Sequence, residues 1–327
     1  MTNFKIGVIG VGKLGAFHCN AITQLENAEL VGVYDVDENT KTDIAARFHC
    51  TAFSSPEALI NAVDVVGVIV PTSEHLQVVK KALLAGKPVF VEKPITTTIE
   101  EAKELIELAK KGNVPVQVGH IERFNPAIRA MEDFVLNPVF IESHRLSPFD
   151  PRGTDVAVIL DLMIHDIDII LNLVKSPVKE IHANGVAIVS DEVDIANARI
   201  EFESGCVANV TASRISQRKM RKMRLFQKDA YVSIDFLQRL TELFRISGDA
   251  ESSNAAINLG QIDKGKHKKN ILYEKPVVPE EDAMQSEWKS FFHAIENEEE
   301  PVVSAQDGLR ALEIALQIRA KINQSKV

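Results

Sequence analysis

Six residues near the start of the chain, Gly10-Val11-Gly12-Lys13-Leu14-Gly15, have the spacing of a loop that brings a backbone against a phosphate. The first glycine permits a tight turn, the second leaves room for a pyrophosphate, and the third lets a helix pack on the preceding strand. A helix opening there supplies unpaired N–H groups and the positive end of its dipole. Asp35 lies twenty residues past Gly15. A carboxylate at that position takes the ribose hydroxyls of a dinucleotide and repels a 2′-phosphate. Residues 36–39 (Val, Asp, Glu, Asn) bring no arginine, so NAD is favoured over NADP. A plain turn residue after a strand fits the same position.

Two further groups have the residue types for proton chemistry. Glu92-Lys93-Pro94 follows an apolar strand, and the C-terminal end of a parallel strand is where ligands sit in such sheets. Taken alone, a lysine in a turn is more readily a solvated surface group. Asp161 and His165 are four apart in the apolar run 156–164, on one face of a helix. Histidine titrates near neutrality and can take a proton from an alcohol as hydride leaves. A structural Asp–His pair that pins the helix reads equally well. Arg214, Arg218, Lys219, Arg221, Lys222 and Arg224 form the densest positive cluster. It reads as a solvated strand end or as a binding site for an anionic group such as a diphosphate, with Arg145 and Arg152 as further candidates.

These groups need elements to hold them. Short β-branched runs at 5–10, 29–34, 65–70, 89–91 and 114–118 alternate with helical patterns at 14–25, 41–48, 56–61, 75–85 and 99–111. That alternation predicts a doubly wound parallel sheet, class α/β. After about residue 119 the pattern changes. A helix is predicted over 159–174. Consecutive strands follow at 178–187, 194–202, 206–213, 223–226 and 230–235, which points to an antiparallel or mixed sheet. A loop or ragged hairpin is expected at 254–270, and helices at 283–296 and 304–323. The expected division is 1–121 for the dinucleotide-binding domain and 122–327 for the substrate-binding and oligomerisation domain.

Lysine and arginine number 37 against 46 aspartates and glutamates, a net charge of −9. This argues against a protein that coats nucleic acid. The three cysteines (Cys19, Cys50, Cys206) form no CxxC and no Cys/His cluster, so neither a disulfide framework nor a metal site is expected. No leader pattern and no apolar stretch of about 20 residues is apparent, so the expected location is the cytoplasm, off the membrane.

Taken together, these motifs resemble the Gfo/Idh/MocA oxidoreductases. The resemblance is carried by Gly10–Gly15, Asp35, Pro71-Thr72-Ser73-Glu74-His75, Ala85-Gly86-Lys87-Pro88 before Glu92-Lys93-Pro94, Arg123-Phe124-Asn125-Pro126, Asp161-Leu162-Met163-Ile164-His165 and the ending 301–308. It implies a Rossmann domain followed by an α+β domain with a large open, mostly antiparallel sheet. It also implies a homodimer or homotetramer formed through that sheet. By this resemblance Lys93 and His165 are the catalytic pair, assisted by Asp161. Gly10, Gly12, Lys13, Leu14, Gly15, Asp35, Pro71, Thr72, His75, Glu92 and Lys93 line the NAD, and Arg123, Arg145, Arg152, Arg214 and Arg218 are the substrate candidates. The segments 119–126, 142–148, 151–155 and 161–168 look like a narrower group, the bacterial UDP-N-acetylglucosamine 3-dehydrogenases. That likeness implies a UDP-linked sugar oxidised at its 3-hydroxyl, with an aminotransferase downstream in lipid A-type amino-sugar synthesis. Dehydrogenation of another UDP-sugar acid, inositol or a free sugar is the nearest alternative. A non-catalytic NAD-binding regulator on the same fold is the alternative of another class, and such a protein could lose Lys93 or His165 without harm.

Overall fold

The segment Phe4-Lys5-Ile6-Gly7-Val8-Ile9 buries every residue except Lys5. Such a run suits a central parallel strand covered on both faces. The structure, a computed structural model, describes residues 3–150, 156–247, 256–264 and 267–324. The chain divides into two units, residues 1–124 with 281–313, and residues 125–280 with 314–327.

In the first unit the elements alternate. They run β1 (Phe4–Ile9), α1 (Lys13–Ile22), β2 (Ala28–Tyr34), α2 (Glu38–Phe48), β3 (Thr51–Ala52), α3 (Pro56–Ala62), β4 (Val65–Val68), α4 (Thr72–Leu84), β5 (Val89–Glu92), α5 (Ile99–Gly112) and β6 (Val116–Gly119). The sheet order is β3-β2-β1-β4-β5-β6, and every pairing is parallel. The order reverses between β1 and β4, and the crevice beyond the strand ends at that point is where such folds bind dinucleotides. Helix starts carry their signals. Asp37 accepts from the Thr40 N–H at the head of α2, and Thr98 with Glu101 forms a reciprocal capping box on α5.

The second unit holds α6 (Pro126–Arg129), β7 (Phe140–Leu146), a π-helical turn (Ile159–Met163) running into α7 (Ile164–Val174), and β8 (Val178–Val186). Then come β9 (Ile195–Phe202), β10 (Val207–Ser213), β11 (Met220–Phe226), β12 (Ala230–Asp235), β13 (Leu240–Ser247), β14 (Ile257–Lys264) and β15 (His267–Glu274). Nine strands form one sheet in the order β14-β15-β13-β12-β11-β7-β10-β9-β8. All pairings are antiparallel except β7 with β10. The segment expected as a loop or ragged hairpin is a hairpin of β14 and β15, with residues 254, 255, 265 and 266 outside the description.

Three expectations change. Residues 281–313 belong to the first unit, so the second domain is not one continuous stretch from residue 122. The physical reason is aromatic. Trp288 of α8 (Ala283–Glu296) stacks on Phe90 at 4.5 Å and Phe292 on Phe4 at 4.8 Å. Helix α9 (Ala305–Gln324) begins in the first unit and ends in the second. Strands β7 and β13 were not expected, because inward-facing Ser143, Arg145 and Thr241 break the apolar alternation. Finally, the start of the helix at 159–174 is π-helical: the Ile164 N–H donates to the Ile159 carbonyl, five residues back.

Candidate active site

In the first unit the cofactor candidates gather at the C-terminal ends of the parallel strands. Gly10 follows β1 with φ +86°, in the left-handed region, and a Cβ there would lie 2.5 Å from the Ile69 carbonyl oxygen. A Cβ on Gly15 would overlap the Gly10 carbonyl oxygen, whereas one on Gly12 would meet nothing within 4 Å. The loop is thus closed on its protein side and open at Gly12. The first N–H groups of α1 receive no side-chain cap, and Lys13 and Leu14 in that turn are exposed. Asp35 lies one residue past β2, with its Oδ2 accepting the Val11 N–H at 2.7 Å and its Oδ1 the Asp37 N–H at 3.0 Å. Open space at Gly12, an uncapped helix start and a carboxylate hydrogen-bonded to that loop fit a dinucleotide. Pro71 and Thr72 begin α4 beside this loop, after β4.

His75 differs from the expectation. It is buried, with Nδ1 3.0 Å from the Pro94 carbonyl and Nε2 3.0 Å from the Val70 carbonyl. Burial depresses its pKa, against the carbonyls that favour the charged ring. It braces the turns after β4 and β5 from inside instead of lining the cofactor. Glu92 ends β5 and is also buried. Its Oε1 meets His18 Nε2 at 2.9 Å, and its Oε2 accepts the Lys93 N–H at 3.0 Å. Burial opposes its charge, yet the His18 hydrogen bond and the nearby Lys93 ammonium hold its carboxyl below the usual range. Lys93, half-buried, precedes Pro94 through a cis peptide bond.

In the second unit the π-helical turn carries Asp161 and α7 carries His165. Both are half-buried in a run whose Ile159, Met163, Ile164 and Ile167 are buried. A single π-turn inside a helix is a common mark of a functional position.

The arginines expected to bind substrate are mostly engaged internally. Arg145 makes a buried two-point ion pair with Asp166. Arg214 is buried, 3.8 Å from Asp194, and donates to the Val156 carbonyl. In the first unit Arg123 lies 3.8 Å from Asp307 and donates to the Val302 carbonyl. In β11, Lys222 and Arg224 pair with Asp235 and Glu142. Of the basic run only Arg214 is buried; Arg218, in the exposed loop before β11, faces outward. Arg152 lies outside the described residues. The residues not anticipated are His18, Trp288, Asp166 and Asp194. His18 had a signal, as a polar residue on the buried face of α1, but nothing in the sequence linked it to Trp288, 270 positions away.

A doubly wound sheet with a phosphate-type glycine loop, an acidic residue after β2 and a lysine after β5 defines a dinucleotide-dependent oxidoreductase. The family model described as "Oxidoreductase family, NAD-binding Rossmann fold" matches residues 4–120, and the GFO/IDH/MocA C-terminal domain matches residues 100–232. The chain is 35% identical to UDP-N-acetylglucosamine 3-dehydrogenase of Acidithiobacillus ferrooxidans, over 98% of each chain. A solved structure of that enzyme superposes with a TM-score of 0.88 at 34% identity, covering 99% of both chains. Myo-inositol 2-dehydrogenase of Thermotoga maritima is 25% identical, over 98% of this chain and 97% of its own. Scyllo-inositol dehydrogenase of Lactobacillus casei, solved with NAD(H) and scyllo-inositol, shares the fold at a TM-score of 0.79 and 21% identity, covering 99% of this chain and 98% of its own. The protein belongs to the Gfo/Idh/MocA family of oxidoreductases, and its cofactor is NAD.

Proposed function

We propose that this enzyme oxidises the 3-hydroxyl of UDP-N-acetylglucosamine to a ketone. The observation that carries the substrate is the full-length likeness to the dehydrogenase of that name, at 35% identity against 25% for myo-inositol 2-dehydrogenase. Lys93 and His165 are assigned to the reacting carbinol, where they share proton transfer and polarisation of the C–O bond. Asp161 orients His165 or a sugar hydroxyl. NAD, when bound, accepts the hydride. Among the arginines, Arg218 is the outward-facing candidate for the diphosphate. The test is turnover of UDP-N-acetylglucosamine with NAD by folded protein, with an aminotransferase present to trap the ketone. If neither NADH nor a 3-keto or 3-amino sugar forms, the substrate assignment fails.

A second reading, oxidation of inositol or another free polyol, is favoured by one observation. Arg145, Arg214 and Arg123 are held by Asp166, Asp194 and Asp307. Turnover of inositols in preference to UDP-sugars, with no competition by UDP, selects this reading. For either substrate we assign a homo-oligomer, dimer or tetramer, assembled through the nine-stranded sheet.

A further inference from the structure

Lys93 is backed by a buried chain of polar groups. The Trp288 Nε1–H donates to His18 Nδ1 at 3.1 Å, and His18 Nε2 meets Glu92 Oε1 at 2.9 Å. Glu92 Oε2 takes the Lys93 N–H. An indole nitrogen only donates, so His18 Nδ1 is an acceptor. The imidazole is therefore neutral, with its one proton on Nε2 and aimed at Glu92. Its ring sits edge-on to Phe90 and Trp288, with centroids 5.2 and 6.0 Å away. The carboxylate is confined as well: a Cβ on Gly119, its register partner in β6, would lie 3.0 Å from the carboxyl carbon and both oxygens.

Packing alone gives no reason for this arrangement. An ionised carboxylate is costly to bury, and apolar residues of similar volume would fill the space as well or better. The charge is kept where it touches the backbone N–H of Lys93. We infer that Trp288 and His18 form a relay that fixes the Glu92 carboxylate and thereby aims Lys93, making His18 a positioning residue for the lysine. The inference rests on the assignment of Lys93 to the reacting carbinol. Misplacement of a reacting group by about 1 Å can cost on the order of 100-fold in rate, so slackness in this relay should appear in kcat.

The test uses three variants and one spectrum. His18→Leu removes both hydrogen bonds. His18→Gln keeps an acceptor for the indole and a donor for Glu92. Trp288→Phe keeps the aromatic packing and removes only the N–H. His18→Leu is expected to lower kcat about tenfold or more while KM and NAD affinity stay within about twofold, with His18→Gln restoring most of the rate. The side-chain nitrogen-15 spectrum of the substrate-free protein should show the Nε2–H tautomer of His18, with Nδ1 accepting from Trp288. An imidazolium or an Nδ1–H tautomer overturns the relay. So does an unchanged kcat in both His18→Leu and Trp288→Phe when Lys93→Met is inactive. An active Lys93→Met instead overturns the lysine assignment and the positioning role with it, whichever tautomer is seen.

Discussion

Arg145 of β7 and Asp166 of α7 form a two-point ion pair, Nε to Oδ2 at 3.0 Å and Nη2 to Oδ1 at 2.8 Å, with both side chains 2% exposed. The guanidinium also lies over the Phe236 ring, 5.9 Å from its centroid. An arginine read from the sequence as an anion-binding candidate is thus a clamp between the sheet and α7, the helix that carries His165. Removing one partner strands a buried charge, so Arg145→Ala should lower stability by about 3–5 kcal/mol in urea unfolding. Replacing the pair by apolar residues (Arg145→Met with Asp166→Leu) should recover most of that loss. A single variant within about 1 kcal/mol of wild type contradicts a buried pair.

The two later glycines of the cofactor loop should separate binding from folding. Gly12 faces open space, whereas a Cβ on Gly15 would drive into the Gly10 carbonyl. Gly12→Ala should therefore keep the wild-type Tm and weaken NAD binding by about tenfold or more, because the methyl occupies the pyrophosphate's approach. Gly15→Ala should lower the Tm as well, since helix and strand must move apart. Calorimetry beside NAD titration checks both. Equal Tm losses in the two variants would show that the space at Gly12 is not reserved for a ligand.

The cofactor half of the site was legible because local rules produce it. A glycine pattern, a strand before it and a carboxylate twenty residues on are all short-range signals, and the alternation of elements gave the parallel sheet with five of its six strands, the two-residue β3 being too short to leave a pattern. The proton-handling residues were legible only as residue types. The sequence showed Asp161 and His165 four apart but gave no sign of the π-turn between them, because a five-residue hydrogen bond leaves no period of its own. The arginines misled for a related reason. An arginine serves as an anion site only if no carboxylate of the chain answers it, and Asp166, Asp194 and Asp307 are set opposite Arg145, Arg214 and Arg123 by pairings of strands and helices that no local pattern states. Trp288 is the extreme case, joined to its own unit through contacts across most of the chain.

Asp194 should make the second unit sensitive to acid. It is buried, yet its Oδ2 collects the Ile188, Val189 and Ser190 N–H groups and its Oδ1 the Ser190 hydroxyl. Burial raises its pKa, but these donors outweigh that and hold it at about 2. A carboxyl lowered in the folded state binds a proton more readily when unfolded, so stability rises with pH. The contribution is complete above the ordinary carboxylate range and is lost as pH falls from there toward about 2. Asp194→Ala should cost about 2 kcal/mol or more at pH 7. The deficit should shrink as the pH falls below about 4. A deficit of the same size at every pH would assign the role to shape instead of charge.

The second face of the nine-stranded sheet carries a strip of aromatic rings. Phe140, Phe226, Tyr231, Phe244 and Tyr273 lie in register on five neighbouring strands, with successive centroids 5.0–5.7 Å apart. Each is half-buried, while Ile141, Leu225, Val232, Leu243 and Leu272, one position along on the same strands, are buried on the other face. Alternation alone would make this face polar, and we propose that the continuous apolar strip is a surface that meets another protein. A second copy of the chain is the occupant that a homo-oligomer requires, and a two-fold axis would set the strip against itself. Phe226→Asp combined with Tyr231→Asp should therefore reduce the sedimenting mass to that of one chain. Far-ultraviolet circular dichroism should stay that of the folded protein. A wild-type protein that sediments as a monomer at micromolar concentration removes the oligomer assignment. A double variant that keeps its assembled mass moves the interface away from the aromatic strip.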